Sequence, residues 1–161
     1  MLDPPEVKYP STEVRVIRRL AYFWDSIRRG RPHPTMTDLD PRRLPIPWDQ
    51  CFLLAVDENA DDPPFDYVGK YLCEECGLDL SNHPVSEVPH DTLLEKAAMD
   101  YAAALAEDAP HIVEGKFRHK RGVVILHRSI LLPMGNDPAT IEYLLGGVSC
   151  CELGGDNRKA A

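Results

Sequence analysis

The side chains most able to do chemistry in this chain are five cysteines and six histidines. Cys73-x-x-Cys76 has the spacing of half a zinc site or of a thiol redox pair. A second pair is missing, because Cys150 and Cys151 are adjacent and on a strand point to opposite faces. Residues three apart share one face of a short helix, where two thiols also pack as small hydrophobes. A thiol- or metal-responsive protein using Cys73 and Cys76 therefore stands as an alternative, with no metal ligand and no cofactor assigned.

Among His33, His83, His90, His111, His119 and His127, only His127 lies inside an apolar, strand-like run. There it can face a pocket as a polar anchor, a haem ligand or a pH-sensitive group. Tyr67 and His127 are the candidate residues for a small-molecule pocket. No nucleophile, base and orienting group form a recognisable signature, so no catalytic residue is assigned and the chain is read as a non-enzyme. Gly146-Gly147 and Gly154-Gly155 lack the strand-then-helix context of a phosphate loop. In the last strand such glycines mark a bulge or close packing. Asp57, Glu58, Asp61 and Asp62 form an acidic loop without the oxygen spacing of a calcium site.

These residues must be positioned by one domain, since 161 residues suffice for a single core without staples. The net charge of −8 disfavours nucleic acid as a partner. The charge is uneven: residues 1–43 hold nine Lys/Arg against six Asp/Glu, and residues 44–161 hold nine against twenty. No apolar run approaches the roughly 20 residues that span a bilayer, so membrane insertion is not expected. The first residues lack the basic and apolar regions of a secretory signal, and an odd number of cysteines favours free thiols. Both point to a cytoplasmic protein.

Residues 1–11 read as a flexible tail. Ser11 or Thr12 caps a helix running to about Arg29 and ending at Gly30. Ile17, Leu20, Trp24 and Ile27 form its apolar stripe, with Phe23 widening one side. A stripe this broad suggests a homodimer interface built from Ile17, Leu20, Phe23, Trp24 and Ile27. Gly30 to Pro47 is a proline-rich connector with at most one short helical turn. Cys51–Val56 and Phe65–Gly69 read as paired strands. Thr92 and Glu95 fit a capping box opening one helix to about Glu107. Ile112–His119, Val123–Met134 and Ile141–Cys151 are three further strands joined by turn residues. This order predicts an α+β fold: a five-stranded antiparallel sheet with helices on one face and an N-terminal flanking helix.

The element order resembles that of a PAS domain, of a small stand-alone bacterial PAS-like family. Trp24 with Arg28 to Arg31, Pro34-Thr35-Met36-Thr37-Asp38-Leu39-Asp40-Pro41, and Phe52-Leu53-Leu54-Ala55-Val56-Asp57 carry the resemblance. Phe65 to Gly69, Gly77 to Leu80, Leu131 to Met134 and Leu144 to Gly146 extend it over about residues 18–152. It implies a sensing or protein-interaction role with no chemistry of its own, exerted through a homodimer or an unidentified signalling protein. The expected organisation is a tail to residue 11, the helix and connector at 12–47, the PAS-like domain at 48–153 and a second tail at 154–161.

Overall fold

The computed structural model describes residues 11–56 and 61–153. Residues 1–10 of the tail expected at 1–11, the tail expected at 154–161, and Asp57 and Glu58 of the acidic loop lie outside the described residues. Helix α1 (Ser11–Arg28) ends where Arg29 and Gly30 turn left-handed at φ 52° and 77°. Its last carbonyls are capped from outside. The Arg31 guanidinium donates to Ile27 O at 3.0 Å and Arg28 O at 2.8 Å, and pairs with Asp38 at 2.5 Å. A cation at a helix C-terminus satisfies orphan acceptors and meets the negative end of the dipole. The connector holds two 3₁₀ turns, Met36–Asp38 and Pro41–Arg43, where one short turn was expected, and a third, Trp48–Gln50, directly follows it. Proline fixes φ near the helical value yet removes a donor, so the chain takes single turns without extending them.

Five antiparallel strands follow the expected pattern: β1 (Cys51–Ala55), β2 (Phe65–Val68), β3 (His111–Arg118), β4 (Val124–Met134) and β5 (Tyr143–Leu153). They are ordered β2-β1-β5-β4-β3 in one sheet. β4 is buried on both faces over most of its length, which accounts for its nearly continuous apolar sequence. Helices α2 (Lys70–Cys76), α3 (Leu93–Ala98) and α4 (Tyr101–Glu107) cover one face over Phe52, Leu54, Ile125, Leu131, Leu144 and Val148. Helix α1 and the connector cover the other face over Leu53, Ile130, Leu132, Met134 and Leu145.

The single helix expected from Thr92 to Glu107 is two helices. Thr92 caps α3 by accepting Glu95 N–H at 3.3 Å, but the chain bends at Met99 and Asp100 before α4 begins. α3 lies over β4 and β5, whereas α4 lies over β4 and β3. A sheet twists by some 20° per strand, and a bent pair follows that surface with both Ala97–Ala98 and Ala104 against it.

The interface expected along α1 also needs correction. Ile17 and Leu20 are fully buried within the one chain, and Trp24 is 5% exposed. Trp24 donates its indole N–H to Pro133 O at 2.7 Å. These three side chains are anchors of α1 on its own sheet, each worth roughly 1.5–3 kcal/mol of burial, and they are not available to a second subunit. Phe23 and Ile27 are half-buried and belong to neither core cluster.

Two adjacent glycines let both layers approach β5. A Cβ on Gly146 would lie 2.1 Å from the Phe52 ring, and one on Gly147 would lie 2.6 Å from Leu20 Cδ1. The β5 ladder runs through both without a register shift, so close packing and not a bulge explains the pair.

Candidate functional site

The candidate functional groups lie at three places, two inside the fold and one on its surface. The first is His127, opposite Gly115 on β3 and Cys150 on β5. Alternation along β4 puts Ile125, His127, Ser129 and Leu131 on the face covered by α3 and α4. His127 is 3% exposed; its Nδ1 lies 3.2 Å from Ser129 Oγ, and its ring meets Phe117 edge-on at 5.8 Å. Burial, with Lys96 nearby, lowers its pKa to about 4. His127 is therefore a neutral hydrogen-bonding group near pH 7 and not a proton switch there.

Tyr67 lies on the opposite face. It pairs with Leu53, stacks on Trp48 at 4.5 Å and 11°, and donates its hydroxyl to Trp48 O at 3.1 Å. Burial, followed by the charges of Asp49, Cys51 and Cys73, raises its pKa to about 12. Tyr67 and His127 thus do not share a pocket, because the sheet stands between them. The faces depend on pairing through β1, β5 and β4, including a register shift between Leu53 and Leu54.

The second place is the end of α2. Cys73 is half-buried and its thiol reaches Val68 O at 3.6 Å and Asp79 Oδ1 at 3.7 Å; Cys76 is buried. Burial raises both thiol pKa values, which opposes the thiolate needed for redox or metal chemistry. Among the described residues no three His, Cys, Asp or Glu side chains are grouped to hold a metal. Beside them lies a pair that sequence reasoning missed. Glu75 and His119 are both buried, and the His119 Nε2 contacts the Glu75 carboxylate. That carboxylate also accepts the Leu93 N–H at 2.9 Å, while Arg121 N–H donates to His119 Nδ1 at 3.1 Å. The set ties α2, the start of α3 and the β3–β4 turn together. The only hint in the sequence was that Glu75 shares the side of α2 that carries Leu72 and Cys76.

The third place is the outer surface of α1. Arg15, Arg18, Arg19, Tyr22 and Arg29 are exposed, and Phe23 and Ile27 flank them one helical turn apart. This face presents cations and apolar flank together on a protein whose remaining residues are strongly acidic.

A family model described as a PAS domain matches residues 12–149. The chain is similar in structure to a Rhodobacter sphaeroides LOV protein, at 14% identity, 91% coverage of this chain, 74% of that chain and a TM-score of 0.46. It is similar to the PAS domain of the fruit-fly ELK potassium channel at 16% identity, covering 63% and 85%, with a TM-score of 0.44. The PAS domain of an HTR-like protein from Haloarcula marismortui matches at 19% identity, covering 63% and 79%, with a TM-score of 0.38. No curated protein matches the chain.

Proposed function

This chain belongs to the PAS domain family, and from that premise we propose that it is a signalling module that works through contacts between two copies, made by the exposed flank of α1. PAS relatives are sensory modules, generally not catalysts, and such domains often mediate dimerisation or partner contacts. The observation that carries the reading is Phe23 with Ile27: two large apolar side chains on one flank, packed into neither core cluster. Tyr22 beside them is 68% exposed. The opposite charges of the two parts of the chain support the same contact, since the arginines of α1 in one copy complement the acidic body of another. Five free cysteines support a reducing compartment such as the cytoplasm.

Sedimentation velocity on the wild type and on Phe23→Glu and Ile27→Glu tests the reading, with circular dichroism as the folding control. The expected result is a wild-type dimer and folded monomeric variants. A wild type that stays monomeric, or variants that remain dimeric, would remove it. Trp24→Glu cannot serve, because it places a charge inside the chain's own core.

A further inference from the structure

A cavity of about 420 Å³ lies between α1 and the turn that follows α4. That volume suits a small ligand. Its walls are chemically divided. Trp24, Tyr22, Pro32 and Pro110 supply apolar surface, Arg28 supplies a cation, and Asp108 and Asp25 supply carboxylates, that of Asp25 being paired with Arg28.

The cationic side is partly committed and partly free. Arg28 donates from Nε to Asp25 at 2.7 Å and from Nη1 to Arg31 O at 3.0 Å, with its guanidinium 5.3 Å from the Trp24 ring centroid. Among the described residues no acceptor engages Nη2. A carboxylate arriving there would meet a planar donor already held in place by two bonds.

The anionic side has an unmet need for positive charge. Asp108 ends α4 with a left-handed backbone (φ 49°), so its carboxylate sits at the negative end of that helix. Its nearest partner is His33 Nδ1, 3.6 Å away on a side chain with no exposed surface. His33 Nε2 lies 2.9 Å from Asp137 O, and a carbonyl only accepts, so the proton is assigned to Nε2. Nδ1 then carries a lone pair, and it has no hydrogen-bond partner. His33 is buried outside the cavity lining, so the half-exposed Asp108 carboxylate is the group that a positively charged donor arriving in the cavity would meet.

We propose that this cavity binds a small zwitterion of the amino-acid class, its ammonium at Asp108, its carboxylate at Arg28 and its apolar side chain against Trp24 and Tyr22. A free amino acid and a short peptide share this chemistry. The site does not include His127, and it shares Tyr22 with the α1 face proposed for contact between copies.

Isothermal titration calorimetry on the full chain, with tryptophan fluorescence alongside, tests it using L-phenylalanine and L-leucine. Saturable binding is expected with a Kd on the order of 10 μM to 1 mM. N-acetyl-L-phenylalanine lacks the ammonium and L-phenylalanine amide lacks the carboxylate, and each should bind at least about tenfold more weakly. Glycyl-L-phenylalanine binding more tightly than phenylalanine assigns the site to peptides, and weaker binding assigns it to free amino acids; both support the site. Asp108→Asn, which tolerates the same backbone, and Arg28→Gln should each weaken binding about tenfold. If Arg28→Gln loses its fold, Asp108→Asn decides. No saturable signal with any of the three probes up to about 10 mM, equal affinity for the end-blocked compounds, or unchanged affinity in Asp108→Asn overturns the proposal.

Discussion

His119, in the turn after β3, donates its Nε2 hydrogen to the carboxylate of Glu75 near the end of α2, with both side chains out of solvent. The tautomer follows from Nδ1, which accepts the Arg121 N–H. Burial pushes the Glu75 carboxyl above its ordinary range, against the Leu93 N–H and His119, which favour the charged form. One carboxylate thereby fixes a helix end, a helix start and a hairpin turn that are separate in sequence. Removing it should strand the Leu93 N–H and the His119 ring together. Glu75→Ala is expected to cost about 3 kcal/mol. Glu75→Gln, which keeps an acceptor for Leu93, should cost roughly half of that. Urea unfolding of both variants checks the order, and an alanine variant within about 0.5 kcal/mol of wild type would show that the pair contributes little net stability.

His127 makes stability depend on pH in a defined window. Its folded pKa of about 4 lies below its ordinary value of 6.5, so the unfolded chain takes up a proton that the folded chain refuses. Its contribution is fully present above pH 6.5 and is lost as pH falls toward 4, by at most about 3 kcal/mol. His111 has the opposite sign. Burial lowers its pKa, but Glu107 and Asp100 outweigh that and raise it, so its pairing is lost as pH rises through the folded value. The measurement is urea unfolding of wild type and His127→Gln between pH 7 and pH 4.5. The variant should lose less stability on acidification, and identical slopes would contradict the assignment.

Gly146 and Gly147 should fail differently when given a Cβ. Gly146→Ala drives into the Phe52 ring, itself fully buried, and should cost more than about 3 kcal/mol in global stability. Gly147→Ala meets only the Leu20 Cδ1 methyl, which can turn aside. The expected outcome is a sheet of near-normal stability with faster amide exchange confined to α1. Global loss of protection in Gly147→Ala would show that α1 does not loosen separately.

The strands were legible because turn residues such as Gly122 and Asn136-Asp137-Pro138 separate runs whose apolar pattern fits burial in a sheet. The outer helix was legible from its period. Which face each polar group occupies was not. Tyr67 and His127 are related only through three strand pairings, and one register slip reverses a whole strand. Glu75 with His119 and His33 with Asp108 join residues 44 and 75 positions apart, at distances no local spacing encodes. The breadth of the α1 stripe was visible, but α1 packs on β4 and β5 of its own sheet and buries most of it internally.

The stretch from Arg28 to Pro41, which helps carry the resemblance, has a physical reason in Arg31, which caps α1 and pairs with Asp38 at once. Burial raises the Asp38 pKa, but hydrogen bonds from Thr35 and Arg31 outweigh it and hold the carboxyl below its ordinary value. Arg31→Lys cannot span the same three acceptors with one ammonium and should cost about 1–2 kcal/mol. Thermal unfolding of Arg31→Lys beside Arg42→Lys, an exposed control, checks it. Equal melting temperatures would contradict the capping role.

A contact between copies carried by α1 should leave its mark on the amides of that helix. Hydrogen–deuterium exchange of the α1 amides, measured at about 1 μM and about 200 μM protein, tests it most directly, because an interface on a helix slows that helix's local opening only where the complex is populated. Slower exchange at the higher concentration is expected in wild type, with no such difference in Phe23→Glu. Exchange in α1 that is independent of concentration in the wild type would contradict it.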